Sequence, residues 1–69
     1  MHLFQFLDLK LSPGEMINII DERGGGTNGI YLGEYNNSLD SFLFENFSTG
    51  KTETIYIEKL QDLWRTRLN

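Results

Sequence analysis

The chain has no cysteine, one proline and one histidine among its 69 residues. Disulfides are therefore excluded, and His2 with no thiolate beside it does not make a structural zinc site. No apolar run exceeds three residues, as in Phe42-Leu43-Phe44. A helix needs about 20 such residues to span a bilayer, so no membrane partner is expected. Residues 1–11 are rich in apolar side chains, but they include Asp8 and lack a positively charged start and a small-residue cleavage site; a secretory signal is not expected. A cytoplasmic location is the default for such a cysteine-free chain. Basic residues are also scarce, six against ten acidic, for a net charge of −4 and a pI near 4.7. That balance argues against a protein that coats DNA through a broad basic face, while leaving room for a local basic patch on an oligomer. Paired carboxylates at a catalytic spacing and a nucleophile beside a histidine are missing as well. Neither enzymatic activity nor a cofactor is expected.

What is present argues for an ordered domain. The chain is 39% hydrophobic and 13% aromatic, too rich for an intrinsically disordered segment. Residues 1–69 make a single domain, and a chain this short buries only about 60% of the surface that its unfolded form exposes. With no disulfide or metal to staple it, assembly with further copies is the expected source of extra stability.

The strongest punctuation is Gly24-Gly25-Gly26-Thr27-Asn28-Gly29, read as a loop or exposed turn because glycine disfavours helix and central strand. It lacks the Lys-Ser/Thr ending of a phosphate-binding loop, so a flexible hairpin connection is expected instead. Gly29 to Tyr35 reads as a strand, broken by Asn36-Asn37-Ser38. Leu39 to Phe47 reads as a second, with Phe42 and Phe44 on one face and Leu43 on the other. After the turn Ser48 to Lys51, Thr52 to Glu58 alternates as a third, with Ile55 and Ile57 facing inward. Consecutive strands on short connections form a meander.

Both ends leave alternatives open. Ser12-Pro13-Gly14-Glu15 has the form of a helix capping box before Met16, Ile17, Ile19 and Ile20, yet Pro13-Gly14 also suits a turn into a Met16 to Asp21 strand paired across the glycines. The strand is favoured, because the meander needs opposing β-structure. Leu7, Leu9 and Leu11 alternate as in a strand, whereas Leu3, Leu7 and Leu11 recur at helical spacing. Leu60, Leu63, Trp64 and Leu68 fit a helix, and Lys59-Leu60-Gln61 fits a bend into a last strand. The fold class expected is mainly β: a small, strongly bent SH3-like or Sm-like barrel of about five strands, with a short terminal helix as a variant.

Within that group the middle of the chain resembles the Sm/LSm family. The first family motif runs glycine, strand, aromatic, aspartate, two variable residues, a large apolar residue, asparagine and an apolar strand. Here Gly29 to Leu32 leads to Tyr35-Asn36-Asn37-Ser38-Leu39-Asp40-Ser41-Phe42-Leu43. Asn36 and Asp40 stand where the family has aspartate and asparagine, so the two polar types are exchanged. After Ile55-Tyr56-Ile57 the chain has Glu58-Lys59 where the family has Arg-Gly. The resemblance implies a homo-oligomeric ring whose loops at Asn36 to Asp40 and Glu58-Lys59 meet at a pore and bind single-stranded RNA, or DNA. It assigns Asn36 and Asp40 to polar contacts, Lys59 to a phosphate or base edge, and Leu39 to an apolar core position.

Blander readings stand beside these. Asn36-Asn37-Ser38 suits a plain turn held by local side-chain bonds. Arg23, Arg65 and Arg67 suit either a basic rim or ordinary solvated positions, and Tyr31, Tyr35, Tyr56 and Trp64 suit core or subunit contacts better than a binding stripe. The alternative function is a structural or protein-interaction adaptor with an SH3-like barrel, whose acidic surface meets a protein.

Overall fold

Leu3, Phe6 and Leu9 recur every three residues on the side of the N-terminal segment that packs against the core, the spacing of a helix rather than a strand. In a computed structural model, which describes residues 1–66, helix α1 spans Leu3–Leu9. Gln5 Oε1 accepts a hydrogen bond from the His2 amide at 3.0 Å, satisfying one of the donors left over at a helix start. Lys10 ends the helix in the left-handed conformation, φ 49°. Phe6 is buried and stacks on Phe42 with ring centroids 5.2 Å apart, while Phe4 and Leu7 lie on the outer side, exposed.

Ser12 to Glu15 forms a turn, not a helix start. The Glu15 amide donates to the Ser12 carbonyl at 3.1 Å, the Glu15 carboxylate accepts from the Ser12 amide at 2.6 Å, and Gly14 takes a φ of 97°. Strand β1 follows at Met16–Asp21, with Ile17 and Ile19 buried in alternation. It pairs antiparallel with β2, Gly26–Asn36, in the register Ile17 to Gly29 and Ile20 to Gly26. The glycine-rich stretch expected to be loop is thus mostly strand: only residues 22–25 connect the two. Close approach overrides glycine's poor strand propensity here. A Cβ at Gly29 would stand 2.0 Å from the Glu45 carbonyl oxygen and 2.4 Å from Phe44 Cζ.

The expected meander is present. β3, Ser41–Asn46, pairs with β2, and β4, Lys51–Tyr56, pairs with β3, both antiparallel. β2 kinks where Gly33 and Glu34 take positive φ, 84° and 54°, and its register against β3 shifts on either side of Gly33, as at a bulge. A 3-10 turn, Ile57–Lys59, leads to β5, Leu60–Arg65, which returns to pair with β1. The strand order is β4-β3-β2-β1-β5, one five-stranded sheet. β4 and β5 are its edges, and no ladder joins them among the described residues. Phe42, Phe44, Ile17 and Ile57 are the largest fully buried side chains. Ile55 is partly buried against them. Ile57 faces inward as expected but from the 3-10 turn, since β4 ends at Tyr56.

Candidate functional site

The connection after β2 begins with a side chain that folds back on its own loop. Asn36 Oδ1 accepts from the Ser38 amide at 2.9 Å and the Leu39 amide at 3.2 Å. This is the local bonding of a plain turn, and it occupies the carbonyl that the family resemblance directs at a base. Leu39 requires a correction: it is 57% exposed, not in a core position. It lies in the turn between Asn36 and Ser41, which pair across β2 and β3. Asp40 takes a left-handed φ of 50°, and its Oδ1 accepts from the Tyr35 hydroxyl at 3.1 Å. Partial desolvation raises the pKa of that phenol above its ordinary value, and the hydrogen bond and negative charge of Asp40 push it in the same direction.

This turn is tied to the segment that carries Lys59. The Ile57 amide donates to the Asp40 carbonyl at 2.9 Å, one step beyond the ladder pair Ser41 and Tyr56. Lys59 Nζ lies 5.4 Å from the centre of the Tyr56 ring, within cation–π range. Tyr56 is 42% exposed, so an aromatic face and an ammonium meet solvent together. Asp40 and Lys59 therefore belong to adjoining turns, whereas Asn36 and Leu39 share the first turn without a contact of their own to the second. Reading Tyr56 as core or subunit contact missed this pairing. The signal was the alternation of Thr54, Tyr56 and Glu58 opposite Ile55.

The arginines take other roles. Arg65 Nε pairs with Glu15 Oε1 at 2.7 Å, and its Nη2 donates to the Leu9 and Lys10 carbonyls at the end of α1. Arg65 thus fastens the helix to β5 instead of forming a free basic rim. The bond from Arg65, with that from the Ser12 amide, lowers the Glu15 pKa. Arg67 lies outside the described residues. Tyr31 is buried, while Tyr35 and Trp64 are exposed.

A second feature was not expected from the sequence. A cleft of about 310 Å³ opens beside β4, floored by Ile19, Ile55 and Leu60 and rimmed by Asp21, Glu22 and Glu53, with Lys59 at its margin. Asp21 and Glu22 come from the β1–β2 hairpin and Glu53 from β4, so residues scattered in sequence share one wall in space. No group of three or more histidine, aspartate or glutamate side chains is placed to hold a metal ion among the described residues. No helix among them is long and apolar enough to cross a membrane. No protein-family model matches the chain, and neither a curated protein nor a solved structure matches it.

Proposed function

We propose that the chain is a non-enzymatic nucleic-acid-binding module: an Sm-like barrel that assembles into an oligomeric ring, binds single-stranded RNA or DNA, and acts in RNA or DNA processing. The observation that carries this reading is the Asp40 to Ile57 backbone bond, which sets the turn of Asn36 to Asp40 beside Lys59 and Tyr56. An exposed ring next to a cation offers the two things a single strand needs, a stacking surface and a phosphate contact. Stacking on one aromatic side chain contributes about 1–3 kcal/mol per base and tolerates any sequence. Ring assembly draws support from the two unpaired edges of the sheet. Pairing β4 of one copy with β5 of the next satisfies both, and such a head-to-tail contact closes when its rotation divides a full turn.

The test combines light scattering at tens of micromolar protein with binding of labelled oligo-U and oligo-A at two salt concentrations. Expected are an oligomer and a salt dependence shallow enough for one or two phosphate contacts per subunit, because the net charge of −4 supplies no attractive field. Lys59→Glu should weaken binding and leave the fold intact. A monomer that binds neither oligonucleotide at low salt overturns the proposal. The acidic cleft then favours the second reading, a protein-interaction adaptor with no nucleic-acid site.

A further inference from the structure

From the cleft beside β4 we infer a docking site for a lysine- or arginine-bearing segment of a partner protein, whose acidic rim borders Tyr56 and Lys59 of the candidate nucleic-acid site. The inference gives the adaptor reading a partner of stated chemistry, and it does not depend on oligonucleotide binding. Two properties of the cleft select the occupant. Its floor of Ile19, Ile55 and Leu60 is apolar and its rim carries the carboxylates of Asp21, Glu22 and Glu53. A lysine or arginine side chain matches both, laying its methylene stem on apolar surface while its charged head stays at the polar margin. Lys59 also lines the cleft, but it forms no ion pair with the rim carboxylates, which outnumber it three to one; the ion pair formed among the described residues is that of Arg65 with Glu15. Asp21 spends Oδ1 on the Arg23 and Gly25 amides, each at 2.9 Å. Glu53 Oε2 accepts from Asn46 Nδ2 at 2.8 Å. These bonds fix two of the rim positions without neutralising either charge. The same carboxylates repel a phosphate backbone. Charge complementarity therefore favours a basic protein segment over nucleic acid at the rim.

The test uses a fluorescein-labelled peptide of about ten residues alternating lysine and threonine, and its glutamate–threonine counterpart, with anisotropy read at low and high salt. Glu22→Gln with Glu53→Gln removes two rim charges, while Asp21, which closes the hairpin, is kept. Asp8→Asn with Glu45→Gln, at exposed positions outside the cleft, makes the same change in net charge. The lysine peptide should bind with amide shifts at 19–25 and 53–60, and the rim variant should weaken it about fivefold, the scale of two exposed charge pairs. The control pair should leave it within about twofold. Equal weakening by both pairs, shifts mapping elsewhere, or no binding at low salt overturns the inference. Oligo-U binding followed in the same variants separates the two proposals. Loss of peptide binding with oligo-U binding retained on the rim variant supports the rim as the contact that selects the basic segment, and joint loss overturns that selection.

Discussion

Phe44 crosses β2 directly over Gly29, with its ring so close that a Cβ on Gly29 would stand 2.4 Å from Cζ. The same Cβ would stand 2.0 Å from the Glu45 carbonyl oxygen. Backbone cannot swing aside as a flexible side chain can, so Gly29→Ala forces the β2–β3 ladder apart where the core is tightest. Overpacking of this kind costs about 1–3 kcal/mol, and backbone contact puts this site at the upper end. Urea unfolding should show the loss, whereas Gly26→Ala, whose Cβ meets nothing nearer than 3.9 Å, should change stability far less. Equal effects at the two glycines would mean that Phe44 does not cross at Gly29.

The partner in that contact gives a second expectation. Phe44 is fully buried, and Phe44→Ala should cost about 3–5 kcal/mol, comparable with the whole stability of a domain this small. Loss of the cooperative thermal transition is the expected result. An unchanged melting curve would place Phe44 on the outer face, since slipping the strand by one residue exchanges its two faces.

The Gly29 contact also shows why part of the fold was legible and part was not. Alternation in Phe42, Leu43 and Phe44, and in Ile55 and Tyr56, reports a buried and an open face from neighbours in sequence alone, and those strands were read nearly to their ends. Gly29 is pressed by Phe44 and Glu45 of another strand, a reason for glycine that local propensity does not report, and the strand runs back to Gly26 through residues whose composition points to a loop. The leucines of residues 3–11 satisfy both periodicities, and packing of Phe6 on Phe42 decides between them. At the site, Lys59 and Asp40 lie on adjoining turns, but Leu39, which the resemblance assigns to an apolar core position, is exposed. The pairing of Asn36 with Ser41 that leaves Leu39 in the turn carries no hydropathy signal.

Glu15 and Arg65 provide a pH-dependent tether for α1. The Arg65 guanidinium, followed by the Ser12 amide, holds the Glu15 carboxyl below its ordinary value of 4.5. A carboxyl whose folded pKa is depressed adds stability above its unfolded pKa and loses it as pH falls through the folded one. Wild type should therefore exceed Glu15→Gln in thermal stability at neutral pH, and the difference should vanish in strong acid. The pair is partly exposed, so added salt should also narrow the gap. A difference that is the same at neutral and acid pH would show that the charge of Glu15 contributes nothing.

Asp40 links the chemistry of its turn to the proposed binding site through Tyr35. Partial desolvation, the largest cause of the raised phenol pKa, survives Asp40→Asn, while the full negative charge beside the hydroxyl does not. The Tyr35 phenol should titrate lower in the variant than in wild type and still above its ordinary value, as followed by ultraviolet absorbance of the phenolate. Asparagine tolerates the left-handed φ of 50° at this position, so the turn should persist. Removing one carboxylate near the phosphate path should also tighten oligo-U about two- to fivefold at low salt, the range of a single exposed charge interaction. The two readouts separate the causes. An unshifted phenol would remove the Tyr35 to Asp40 bond from the account, and a shifted phenol with unchanged oligo-U affinity would move the nucleic-acid site away from this turn.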